Sequence, residues 1–422
     1  MIEGKRIEFV DLTKGICIIL VVMSHIGGPF DRMDSHNIIA SFRMPLYFFI
    51  SGIFFKSYEG LWGFFLRKLN KLIIPFIFFY VGAFLAKYII WKVYPAAFQL
   101  PVSWSDLLVV FHKHDLIDFN PPIWFLLALF NCNIIFYIIH SKLRNKSLKL
   151  MFLVCMVIGA AGFILGKLRI ELPLYIDTAM TALPFYLGGF WLRRYNFFLY
   201  PHRFDKFIPV FIVLALAAMY FIATKPGMRT NSYDGNIFQF YAAAFAGILV
   251  IMLIGKRFKR APVISYLGRY SVITLGIHAI LLHFCHKILE RFIHNEWIFS
   301  ITLLLVVLAI SLVMTPVFLK IIPQFVAQKD FFPTSKLIKN KTEISTCDVV
   351  EKKDKWQFLK RKGYIVTTVD AMNREEEDDD KWGIKKSKRE FEMRKALKEE
   401  KRKREEEQNK GNIINQPDDD NK

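Results

Sequence analysis

Residues 11–26 read DLTKGICIILVVMSHI, an apolar run with Lys14 near one end and His25 near the other. If this run crosses a bilayer, both polar side chains lie inside the membrane plane, where an unpaired charge costs several kcal/mol. The two residues are eleven positions apart. That is about three helical turns, so they project from nearly the same face, about 16 Å apart along the axis. They are expected to face the protein interior or a wet cavity. Plainer readings stand beside this one: Lys14 snorkels to the inner interface, pairing with Asp11 one turn before it, and His25 is a satisfied histidine at the outer headgroups.

The rest of the chain fits a membrane. Of its 422 residues 54% are hydrophobic and 42 are phenylalanine, too apolar for a soluble domain of this size. Windows of about 20 residues, the length that crosses a bilayer, fall near 9–28, 42–57, 72–93, 122–140, 148–166, 178–193, 207–223, 237–255, 269–287 and 297–320. An all-α polytopic membrane protein is expected, with about ten transmembrane helices. The first, second and sixth windows are short or interrupted by polar groups.

Alternate connections carry the positive charge. One set holds Arg67, Lys68 and Lys71; Lys142, Arg144, Lys146 and Lys149; Arg193, Arg194, Arg203 and Lys206; and Lys256, Arg257, Lys259 and Arg260. The opposite set holds few, among them Arg32 and Arg229. By the positive-inside rule the first set and both termini are cytoplasmic, which suits a multi-pass protein of the inner or plasma membrane. The net charge of +20 lies mostly in these loops. Such a distribution suits anionic ligands such as phosphates and argues against a nucleic-acid patch.

Residues 1–327 are read as the membrane domain and 328–422 as a charged cytoplasmic tail, partly helical or disordered. Within the tail, 385–408 alternates acidic and basic blocks at a spacing that suits a charged helix, a solvated arm or a docking arm. The five cysteines are scattered, with no CxxC, so neither a disulfide framework nor a zinc site is indicated. His112, His114, Asp115 and Asp118 form a polar external loop rather than a metal cluster. No metal is expected.

The segment around Lys14 and His25 resembles the first helix of the membrane-bound acyltransferase-3 family, in which a basic residue is followed, after ten others, by a histidine. FRMPLYFFISGIFF (42–55) is similar to the family's second helix, whose usual form is F-x-M-P-L-F-F-x-x-S-G. RKLNKLIIPF (67–76) resembles the basic motif leading into the third, PIWFLLALF (122–130) the Trp-Phe-Leu run of the fourth, and LGRYSVITLGIHAILL (267–282) the Gly-x-x-S…His segment near the end. The match covers about residues 5–320 in order, and the PLYFFISG form most resembles the branch of sugar O-acetylases that includes fucose 4-O-acetylase-like proteins. Lysines replace usual arginines at Lys14, Lys68 and Lys71, which keeps the charge and loses the bidentate fork.

The resemblance implies a cytoplasmic acyl-CoA donor, acetyl-CoA above all, and a hydroxyl acceptor, commonly a sugar or polysaccharide. Arg67, Lys68 and Lys71 would form a cationic mouth for the donor's phosphates, extended inward by Lys14. His25 is then the catalytic residue, as general base toward the acceptor hydroxyl or as a nucleophile that carries the acyl group as an acyl-imidazole. Supporting positions are Asp11, Arg43, Ser51, Trp124 and His278. Arg43, near the outer start of the second span, binds acceptor, neutralises an oxyanion or anchors the helix at headgroups. Ser51-Gly52 favours helix packing. Trp124 and Phe125 favour an aromatic belt at the outer interface, with sugar stacking as the sharper idea. His278 is a helix-packing histidine or a catalytic one.

The expected function is therefore transfer of an acyl group from cytoplasmic acyl-CoA to an envelope or exported polysaccharide, or to its lipid-linked precursor. A transporter or flippase for such a sugar is the alternative, since many spans with buried charges also suit transport, although the two halves show no hydropathy repeat. A scaffold acting through the charged tail is the third class.

Overall fold

The computed structural model describes residues 8–33, 35–57, 60–95, 102–111, 120–143, 147–193, 203–224 and 226–333. Among these, the chain is almost wholly helical. In order come α1 (Glu8–Ser24), α2 (Ser35–Ile53), α3 (Gly60–Lys68), α4 (Ile74–Val93), α5 (Trp124–Leu143), α6 (Leu148–Lys167) and α7 (Ile176–Leu192). They are followed by α8 (Ile208–Ile222), α9 (Ile237–Phe258), α10 (Pro262–Arg269), α11 (Ser271–Leu289) and α12 (Glu296–Ile321). A π turn, Leu69–Ile73, joins α3 to α4 without a break. One two-stranded hairpin, β1 (Pro226–Gly227) and β2 (Ser232–Tyr233), pairs antiparallel between α8 and α9. The tail's 385–408 segment and the HxHD loop lie outside the described residues.

Seven stretches are long and apolar enough to cross a membrane: Gly60–Val93, Pro121–Leu143, Leu148–Lys167, Phe204–Ile222, Ile237–Phe258, Ser271–Leu289 and Glu296–Ile321. The windows near 9–28, 42–57 and 178–193 fold as α1, α2 and α7, of 17, 19 and 17 residues. These three are packed among their neighbours, and their apolar surface meets protein. A helix surrounded by other helices can carry Lys14, Arg43 or Asp177 where one facing lipid could not.

Boundaries also move. The second span begins at Ser35, not at 42, because SHNIIAS is too polar for a hydropathy window yet is covered by neighbouring chain. Arg43 therefore lies mid-helix rather than at its outer start. The first helix ends at Ser24, where Gly27 and Gly28 adopt φ of 73° and 62° and turn the chain sharply.

Glycines set the closest helix contacts. Gly268 of α10 lies against the Asp11 carbonyl and Gly15 amide of α1, while Gly15 lies against the Ile264 carbonyl. Gly52 of α2 and Gly189 of α7 meet in the same way, against the Tyr186 and Phe49 carbonyls. With no Cβ in the way, backbones approach to van der Waals contact, and dispersion replaces the hydrophobic drive that lipid cannot supply. Asn231 locks the hairpin to the bundle: its Nδ2 donates to the Gly162 carbonyl (3.0 Å), and its Oδ1 accepts from Thr181 (3.1 Å) and Tyr233 (2.7 Å).

A Cβ at Gly268 would strike backbone, which cannot swing aside. Gly268→Ala is expected to cost about 1–3 kcal/mol and to lower the melting temperature of the detergent-extracted protein. Gly82→Ala, whose Cβ would meet open space, should leave it unchanged or raise it slightly.

Candidate active site

His25 occupies the turn that closes α1, its amide donating to the Val22 carbonyl at 3.0 Å. The side chain is solvent-accessible. Directly beside it stands His278 of α11, wholly inaccessible, with ring centroids 5.3 Å apart and planes inclined at 49°. His278 Nδ1 lies 2.9 Å from the Thr274 carbonyl, one turn earlier. A carbonyl only accepts, so Nδ1 carries the proton, and in the neutral ring Nε2 is left as a lone-pair acceptor. Among the described residues Nε2 has no hydrogen-bond partner. An accessible imidazole thus stands beside a buried one whose Nε2 is an unpartnered hydrogen-bond acceptor among the described residues.

Two arginines complete this end. Arg43 is largely buried, and its Nη1 has no partner among the described residues. Its backbone carbonyl accepts from the Cys17 thiol at 2.9 Å, which ties α2 to α1. Arg43 and Arg229, the latter carried by the turn of the hairpin, are within electrostatic range of His25. Asp31 is the acidic group within such range of Arg43.

The register that brings the imidazoles together is set lower down. Gly15 and Gly268 are 253 positions apart (268 − 15), and so are His25 and His278 (278 − 25). The α10–α11 segment therefore keeps step with α1 from the glycine contact to the histidines, about 15 Å along the axis at the helical rise. Between these points Tyr47 of α2 acts as a rivet. Its hydroxyl donates to the Lys14 carbonyl at 3.1 Å, tying α2 to α1.

Lys14 is half-buried, its Nζ 5.4 Å from the centroid of the Phe54 ring. Asp11 lies one turn earlier, its carbonyl at the Gly268 contact. Phe55 packs on Phe64 at 5.6 Å, and Lys68 Nζ sits 5.3 Å from that Phe64 ring. Lys14 and Lys68 thus each lie near an aromatic ring, those of Phe54 and Phe64 respectively. The three cations of the basic turn Arg67–Lys71 diverge. Arg67 is half-buried, Lys68 points toward Cys132 of α5, and Lys71 is exposed and donates to the Ala327 carbonyl at 2.9 Å.

Two supporting residues stand in the interior. Ser51 accepts from Asn133 Nδ2 at 3.5 Å, and Asn133 Oδ1 accepts from Tyr186 at 2.7 Å, a polar knot between α2, α5 and α7. Trp124 and Phe125 do not form a headgroup belt. They are 5% and 4% exposed, Trp124 packing on Tyr175 at 5.6 Å, because α5 is enclosed by other helices at this end. No cluster of three or more His, Cys, Asp or Glu is placed to hold a metal among the described residues.

Sequence reasoning passed over Tyr47, Cys17 and Arg229. Only Tyr47 carried a signal: it stands where the family string has Phe, and the added hydroxyl is the rivet.

Several apolar helices around a polar, titratable interior make this chain a multi-pass membrane protein. A family model described as an acyltransferase domain matches residues 7–316. The chain belongs to the acyltransferase-3 family and is a membrane acyltransferase. No curated protein and no solved structure matches it.

Tyr47→Phe removes a part-buried hydroxyl that donates to the Lys14 carbonyl and should cost about 1 kcal/mol. His25→Gln, at an accessible turn, should stay within about 0.5 kcal/mol of the parent. Thermal melting in detergent separates the two.

Proposed function

We propose that this membrane acyltransferase moves an acyl group, acetyl first among candidates, from cytoplasmic acyl-CoA to a hydroxyl of an envelope or exported polysaccharide or its lipid-linked precursor. It acts in the cell membrane with both termini cytoplasmic, in the manner of the sugar O-acetylase branch it resembles. The observation that carries this reading is the accessible His25 ring set against the buried His278, whose Nε2 is an unpartnered acceptor among the described residues.

His25 is the group that meets substrate. In the direct route it takes the acceptor's hydroxyl proton while the oxygen attacks the thioester carbonyl. The C–S bond then breaks, and the CoA thiolate leaves with a proton. In the covalent route a ring nitrogen of His25 attacks the thioester first, CoA departs as the thiol with the proton that the ring gives up, and the acceptor hydroxyl then displaces the imidazole, its proton returning to the freed ring nitrogen. Either way a tetrahedral oxyanion forms near His25, and the unpartnered Arg43 Nη1 is the donor suited to it. His278 supports His25 by offering Nε2 as a hydrogen-bond acceptor. On the cytoplasmic side Lys14, Arg67, Lys68 and Lys71 receive the donor's phosphates, and the slender pantetheine arm spans the interval to His25. Ser51, Trp124 and Asp11 position helices and take no part in bond making.

Purified full-length protein should release CoA from acetyl-CoA when a membrane glycan fraction is added. His25→Ala should slow that release by about 10²–10⁴-fold, and cell glycans should lose a mass of one acyl group. Absence of CoA release and of any glycan mass change would favour a transporter. Labelled acetyl retained on the protein without acceptor, and lost in His25→Ala, selects the covalent route.

A further inference from the structure

Beyond α12 the chain does not leave the bundle at once. Residues 322–333 fold back in tight turns, with the Gln328 and Lys329 amides both donating to the Pro323 carbonyl at 3.0 and 3.1 Å. Val326 is fully buried. Phe325 packs on Phe78 of α4 at 5.3 Å and on Phe331 at 5.7 Å.

The segment is latched by Asn70. This residue lies in the π turn and is 0% exposed. Its Oδ1 accepts from the Phe331 and Phe332 amides at 3.1 and 2.8 Å, and its Nδ2 donates to the Phe332 carbonyl at 2.8 Å. One side chain thus pairs with passing backbone as a strand would. A π turn interrupts the helical register, and at this one the adjacent residues are a buried Asn70 and an exposed Lys71. The latch brings the strap's one acidic residue to the basic turn: Asp330 Oδ1 lies 3.3 Å from Lys71 Nζ, which also donates to Ala327.

We propose that residues 322–333 carry a resident counter-anion for the donor entrance: latched by Asn70, the strap holds Asp330 against Lys71, and the phosphate end of acyl-CoA must displace it. This rests on the reading of the basic turn as the donor's mouth. A carboxylate here acts twice, by occupying an ammonium donor and by repelling an incoming phosphate. Both partners are partly exposed, with side chains 45% and 33% accessible, so the effect is modest and salt-sensitive. Asp330 thereby sets how tightly phosphorylated donors are held, a specificity position outside the residues that the family resemblance points to.

Binding of free CoA to full-length protein in detergent micelles, measured by calorimetry, tests this without acceptor or turnover. Asp330→Asn should tighten CoA about two- to fivefold at low salt. The gain should shrink at about 0.5 M salt and in a Lys71→Gln background. Asn70→Ala should speed amide exchange at Phe331 and Phe332 and tighten CoA in the same direction. Unchanged or weaker CoA binding by Asp330→Asn overturns the inference while leaving the donor reading intact, as does unchanged exchange in Asn70→Ala for the latch. A parent protein that binds no CoA overturns the donor reading and this inference together.

Discussion

Everything at the candidate site hangs on two glycines that let helix backbones touch. Gly15 and Gly268 bring α1 and α10 together at the level of Asp11, where any larger residue would hold them apart. From that point the two segments climb in step, and Tyr47 of α2 pins the Lys14 level of α1. Ten residues beyond each glycine stands an imidazole, and the two rings meet. The pairing of the two imidazoles is therefore a consequence of a packing contact three turns away. In lipid, where apolar burial gives little preference for one helix neighbour over another, such contacts decide who sits beside whom.

The same packing is why polar groups are tolerated at membrane depth. Three of the helices that carry them, α1, α2 and α7, fall short of the length and apolarity of a membrane span, while His278 of α11 and Asn133 of α5 sit on the buried faces of helices that reach it. Lys14 lies over an aromatic ring, the Arg43 carbonyl is held by Cys17, and Ser51 joins Asn133 and Tyr186 in a closed hydrogen-bond set. The apolar work of facing lipid is left to the other helices, whose outward surfaces carry exposed Phe, Leu and Val. Interior and exterior helices have thus divided the two demands that a bilayer makes.

How much of this was legible in the sequence differs from residue to residue. The helical architecture was legible because apolar windows of about twenty residues match the thickness of a bilayer and are rare in soluble domains. His25 was legible because a histidine eleven positions from a lysine on one helix is costly unless used. His278 was visible as a residue but not as a partner, since no local pattern connects positions 253 apart. Arg43 was placed at a helix end because hydropathy misses the first two turns of α2, which are polar and helical. Trp124 was read as interfacial because aromatics at a span's end usually are; enclosure of α5 by its neighbours is a property of the assembled bundle. The latch by Asn70 on residues 331 and 332 was invisible for the same reason.

The glycine contact between α1 and α10 also constrains how the protein is made. Gly15 and Gly268 are separated by most of the membrane domain, so the ribosome must deliver some 250 further residues before the earlier helix finds its seat. Until then α1, with its lysine and its modest apolar length, has α2 beside it through the Cys17 and Tyr47 contacts but leaves its glycine face uncovered. The centre is consequently assembled late, and a nascent chain cut short before α10 holds His25 with nothing to answer it.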